Sequence, residues 1–240
     1  RPAFFSYFTW SRLFYGLSVL VFVCLIGMSF GTGLNADEEY QVDYSEKLVE
    51  YYTSLGEDTS ALFVENGNMH LYGGLFDLMT GTISMIFGWD ELDPSYHLFR
   101  HIMCAVFGFI AIFFAALIGK KMGGWKVAIS VMIFLFLSPR FIGHSLMNPK
   151  DIPFAAGYIM SIHYMLRFFR LFPRPGLGDL IGISTGIGIA LGIRAGGLLL
   201  ILFLFAFSVM HFLYRRYNSE ANTRELWINN CLNYIFFSIR

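Results

Sequence analysis

The sequence predicts an all-α polytopic membrane protein, a bundle of about seven spanning helices with interfacial helices in its first outer loop. Three observations carry that prediction. Of the 240 residues, 56% are hydrophobic and 14% charged, whereas soluble domains run at about 45–50% apolar and about 25% charged. Apolar runs near the length of about 20 residues that a spanning helix needs recur along the chain. Basic and acidic residues, finally, separate onto opposite sides of the resulting topology.

The expected spans, in order, are residues 13–34, 99–119, 124–139, 152–170, 179–195, 196–213 and an incomplete 226–240. Helices are the expected form, because lipid cannot satisfy open backbone groups. The first run is too long for a signal-peptide core of about 7–15 residues and reads as a retained helix. Between the first two spans lies a loop at 35–98. Within it, residues 38–55 place Tyr44, Leu48, Tyr51, Tyr52 and Leu55 at helical spacing, opposite Asp43, Glu46, Lys47 and Glu50. Residues 69–87 are apolar, interrupted by glycines, and stop at Gly88. Both segments read as helices lying in the interface plane. In the fifth span Gly182, Gly186, Gly188 and Gly192 offer small faces for close helix packing. Because it opens at Arg1 and ends in "CLNYIFFSIR", the chain is expected to be the membrane module of a longer protein.

Sidedness follows from the basic residues. Arg1, Arg12, Lys120, Lys121, Lys126, Arg167, Arg170, Arg174, Arg215, Arg216 and Arg224 fall on one side, which the positive-inside rule makes cytoplasmic. Thirteen of the 17 acids lie in the outer segment 35–98, which agrees with that assignment. The net charge of zero gives no argument for nucleic acid. Cys24, Cys104 and Cys231 sit in apolar segments and outline neither a disulfide framework nor a CxxC metal site. No phosphate-binding loop, HExxH, GxSxG or dinucleotide fingerprint is present.

Two acidic positions reach the outer face beside the bilayer. Asp37, in "NADEEY" with Glu38 and Glu39, follows the first span, and Asp151, in "MNPKDIPF", opens the fourth. Carboxylates there suit general-base work on a hydroxyl nucleophile, or a divalent cation. The same residues also suit helix capping: Asn35 with Glu38 fits an N-x-x-E box, and Asn148, Pro149 and Asp151 form a helix start, with Pro153 delaying it. Arg140, His144, Lys150 and Arg194 share this surface and suit a phosphate-bearing headgroup; snorkelling to lipid phosphate would place the same cations there. His163, His211 and Asp179 fall at or near the cytoplasmic side.

With these residues in view, the chain resembles the amino-terminal part of GT-C superfamily glycosyltransferases, above all bacterial members of glycosyltransferase family 39, relatives of protein O-mannosyltransferases and aminoarabinose transferases. The resemblance rests on "DEEYQVDYSEKLVEYY", on "LSPRFIGHSLMNPKDIPFAAGYIMS" and on "GIALGIRAGGLLLI", and runs through most of residues 13–213. It implies transfer of a sugar, with inversion, from a polyprenyl-phosphate donor to an acceptor hydroxyl on the extracytoplasmic face of a bacterial inner membrane. It implies Asp37 as base and Asp151 as a supporting carboxylate, with no obligatory metal. Contacts of Arg140, His144, Lys150 and Arg194 with the lipid phosphate are inferred from charge and side, and Glu38 is placed with them as the partner of Asp37. Two other readings stay open, a transporter or flippase and a non-catalytic assembly subunit. Clustering of charge at one face, with no repeat, favours the enzyme.

Overall fold

The computed structural model describes residues 9–64 and 68–237, with side chains as far as residue 218. All regular structure among them is helical: α1 (Trp10–Ser29), α2 (Glu38–Thr53), α3 (Leu75–Phe87), α4 (Pro94–Phe136), α5 (Pro139–Met147), α6 (Asp151–Leu171), α7 (Leu177–Ile193) and α8 (Leu198–Phe237). The chain divides into two units at Leu200, the second being the run of α8 from Ile201. Three helices among the described residues are long and apolar enough to cross a membrane, Trp10–Ser29, Pro94–Phe136 and Ala195–Asn218. Helix α7 is apolar but has only 17 residues.

The ends of the elements follow from local sequence. Helix α1 stops at Ser29, short of the expected residue 34, where Gly31 and Gly33 weaken helical backbone. Helix α4 opens with Pro94 behind the Asp93 carboxylate, which accepts from the Ser95 N–H at 2.7 Å. It breaks sharply at Gly123 and Gly124, the latter at φ +77°, so the expected spans 99–119 and 124–139 are its two arms. The second arm ends at Phe136, because Ser138 and Pro139 start α5, a separate helix that hydropathy alone did not distinguish from a connection. The expected seventh span at 226–240 is not separate. As far as Phe237 it continues α8, since residues 214–226 contain no proline or glycine to interrupt a helix; residues 238–240 lie outside the described ones.

In the first unit α1, α4 and α5 share one core, around Phe14, Val21, Leu25, Ile112 and Met132. A second joins α3, α4, α6 and α7 through Phe76, Phe107, Ile152, Ala156 and Ile193. Helix α1 also turns Val19, Leu20 and Val23 outward, so it is apolar all round, as a lipid-facing helix must be.

Small residues seat α6 on α7. A Cβ at Gly186 would lie 2.4 Å from Ser161 Oγ, and one at Gly182 would lie 2.4 Å from the Tyr164 ring. Of the other two glycines expected on this face, Gly192 meets Leu75 of α3 instead and Gly188 faces open space. Gly186→Val is expected to push the pair apart and cost about 1–3 kcal/mol. A denaturation series on the purified protein, with Gly188→Val losing far less, checks this.

The outer loop holds α2 and α3 where two helices were expected. The buried face of α2 is Gln41, Val42, Ser45, Leu48 and Val49, with Tyr44, while Tyr52 is 57% and Leu55 94% exposed. Partners drawn from α3 and α4, rather than the aromatic stripe, set that face. The 69–87 segment splits at Gly73 and Gly74 into a short turn, Met69–Leu71, and α3, which ends at Gly88 with φ +69° as expected.

Candidate functional site

Asp151 is the first residue of α6. Asn148 makes the start, its Oδ1 accepting from the N–H groups of Lys150 at 3.2 Å and Asp151 at 2.8 Å. Pro153 does not delay the helix, because N–H groups of the first turn lack intrahelical partners anyway. The Asp151 carboxylate pairs with Arg194 Nη2 at 2.7 Å and accepts from Asn148 Nδ2 at 3.0 Å. The same amide nitrogen lies 2.9 Å from His144 Nδ1, so α5 reaches the pair through one amide.

Arg194 closes α7, and its Nε is buried without a hydrogen-bond partner. Beneath it lies Tyr72, whose ring centroid is 5.5 Å from the Arg194 guanidinium and 4.4 Å from Lys150 Nζ, a shared cation–π platform. The platform is tied to α7 because the Gly73 N–H donates to the Ile193 carbonyl at 3.0 Å. Only glycine permits that approach, since a Cβ there would lie 2.2 Å from the Gly192 oxygen.

Asp37 caps α2 and is exposed, and its carboxylate has no hydrogen-bond or ion-pair partner among the described residues. Asn35, two residues before it, reaches the Met147 carbonyl at the end of α5. Lys150 lies close enough to both aspartates to feel their charges. Burial lowers its pKa from the ordinary lysine value; the charges of Asp77, Asp37 and Asp151 raise it, while Arg194 lowers it further. Its Nζ also touches Met69 Sδ at 2.9 Å. Asp37, His144, Lys150, Asp151 and Arg194 are thus gathered at one end of the first unit. Arg140 sits exposed on α5, a turn before His144, and forms no ion pair among the described residues.

Glu38 turns the other way. It is 5% exposed, accepts from the Asn35 N–H at 3.2 Å, and lies 2.9 Å from His97 Nδ1 and 3.1 Å from His101 Nε2. These contacts make Glu38 a tether between α2 and α4 beside Asp37 at the helix start. His97 and His101 were legible as an i, i+4 pair in "YHLFRH" but had no visible partner in sequence. Burial alone would raise the Glu38 pKa; the hydrogen bonds to His101 and His97, the His101 charge and the Asn35 N–H together hold it at about 2 against an ordinary 4.5. A depressed carboxyl pKa stabilises the fold above the unfolded value and loses that contribution as pH falls through the folded one. The interval corresponds to roughly 3 kcal/mol at about 1.4 kcal/mol per pKa unit. Glu38→Gln is accordingly expected to be less stable than wild type at neutral pH, with the gap closing between pH 4.5 and about 2. Paired denaturation curves across that window check it.

Behind the cluster, Arg100 of α4 is 2% exposed and pairs with Asp77 of α3 at 2.8 Å, while also donating to Thr80 Oγ1 at 2.8 Å and Gln41 Oε1 at 3.3 Å. Tyr96 bonds to Ser45 beside it. This network was not legible in sequence, where Asp77 read as part of an interfacial segment. A hollow of about 430 Å³ opens between the starts of α2 and α4, lined by Asn35, Glu38, Glu39, Glu91 and His97 among others. No group of three or more His, Cys, Asp or Glu side chains placed to hold a metal ion occurs among the described residues. Comparison with protein-family models, curated proteins and solved structures gives no significant match.

Proposed function

We propose that this chain is the catalytic module of a membrane glycosyltransferase of the GT-C type, moving a sugar from a polyprenyl-phosphate donor to an acceptor hydroxyl. The reading includes a bundle of about seven spans, α2 and α3 at the membrane interface, and a site facing the outside of a bacterial inner membrane. The observation that carries it is the Asp151–Arg194 pair with Lys150 over the same Tyr72 ring, in reach of the charges of both Asp37 and Asp151. The lysines and arginines of the expected cytoplasmic side lie elsewhere: Arg167 is 16 residues along α6 from Asp151, or about 24 Å of helix.

In this reading each group has one task. Asp37, exposed and unpaired, accepts the proton of the acceptor hydroxyl as its oxygen attacks the anomeric carbon. Lys150 and Arg194 stabilise the charge that develops on the departing phosphate. Asp151 acts through Arg194, holding the guanidinium over Tyr72. The acceptor oxygen gains the glycosyl bond, the bond from sugar to phosphate breaks, and the polyprenyl phosphate leaves with the electron pair. The test is release of polyprenyl phosphate from a polyprenyl-phosphate sugar by the purified protein in the presence of hydroxyl acceptors. Turnover undiminished in both Asp37→Asn and Asp151→Asn would remove the assignment.

A further inference from the structure

At the other end of α6 the first unit holds a second polar cavity, of about 620 Å³. Lys120 and Lys121 of α4 and Arg167 and Arg170 of α6 line it with His163, and no carboxylate does. Buried Asp179 of α7 engages Arg167 through Nε at 2.7 Å and leaves the rest of that fork, half exposed, for another partner. Lys120 is steered by the Trp125 ring, 3.6 Å from its Nζ, and Lys121 by the His163 carbonyl, at 2.7 Å. His163 is 6% exposed, and its Nδ1 is buried without a hydrogen-bond partner.

Four cations facing one cavity of this size repel one another, and the held geometry of three of them keeps them from dispersing into solvent. The volume lies in the range of about 300–1,000 Å³ that small-molecule sites occupy. Arginine forks match phosphate oxygens two at a time, and lysines add point charge. Tyr15, Leu117 and Leu171 complete the wall with apolar surface, suited to the organic part of a phosphate ester. We propose that this cavity is a binding site for a phosphate-bearing anion, separate from the Asp37 and Asp151 end and independent of the reaction assigned there. The phosphate belongs to a membrane lipid headgroup or to a soluble phosphate.

The experiment uses the purified full chain with two probes. Inorganic phosphate is titrated calorimetrically into protein in uncharged detergent, and retention of phosphatidylglycerol from mixed phosphatidylcholine nanodiscs is counted by native mass spectrometry. Arg170→Glu is the main variant, because Arg170 is exposed and can be reversed without opening the core; Lys120→Glu is the second. Saturable one-to-one binding that both variants weaken at least tenfold supports the site. Weakening in the titration assigns it to soluble phosphate, and weakening confined to nanodiscs assigns it to a lipid headgroup. Absence of saturable binding in both arms, or equal binding by wild type and both variants, overturns it. Asp37→Asn is expected to bind either probe as wild type does, so the two ends fail or stand separately.

Discussion

Arg100→Met is expected to destabilise the protein by about 3–5 kcal/mol, the largest stability loss of any single change considered. The side chain lies 2% exposed between the rings of Phe76 and Tyr96, with centroids 5.4 and 5.7 Å from its guanidinium. Its donors reach Asp77 and Thr80 on α3 and Gln41 on α2, so one residue of α4 ties the whole outer loop down. Methionine fills much of the volume but leaves the Asp77 carboxylate, 5% exposed, without its ion-pair partner. The loss should therefore come from the orphaned acid rather than from a cavity. Arg100→Met combined with Asp77→Leu separates the two, since removal of both charges should restore a large part of the loss. Denaturation of the single and double variants in the same detergent measures it, and a double variant no better than the single would point to packing instead.

The second large effect is on turnover. Asp37→Asn is expected to lower sugar transfer by about 10²–10⁴-fold, the range a positioned general base contributes. Because Asp37 is exposed and its carboxylate is unpartnered among the described residues, its loss should leave the unfolding midpoint where it was. Asp151→Asn is expected to impair transfer by another route. It weakens the 2.7 Å pair that holds Arg194, so it should also raise the donor KM. A split between a kcat effect at Asp37 and a KM effect at Asp151 would distinguish a group that moves a proton from one that positions a cation. A stability loss in Asp37→Asn that accounts for its activity loss would speak for a structural role instead.

Much of the helical content was readable because it depends on near neighbours in sequence. The apolar run of α1, the proline behind Asp93, the Asn148 start of α6 and the glycine that ends α3 are local devices with local signals. What sequence left open shares a cause as well. Spacing put Tyr44, Leu48, Tyr51, Tyr52 and Leu55 on one stripe of α2, but only contacts with Arg100, Tyr96 and Leu78 decide that Tyr44 and Leu48 are buried while Tyr52 and Leu55 are exposed. Adjacency in sequence also hides how Glu38 and Asp37 differ: consecutive helical residues point about 100° apart, and His97 and His101 engage only Glu38.

Composition and spacing alone determined the all-helical class, the apolar helices, the separation of basic and acidic ends, and the candidate residues at the helix starts. Those properties are sums over the chain or relations within one turn, so no contact is needed to read them. Which carboxylate stays free and which is buried, which cations share the Tyr72 ring, and which glycines carry the packing were decided by tertiary structure. Each depends on groups tens to more than a hundred residues apart meeting within a few ångströms, where burial and a single partner outweigh anything the neighbouring residues impose.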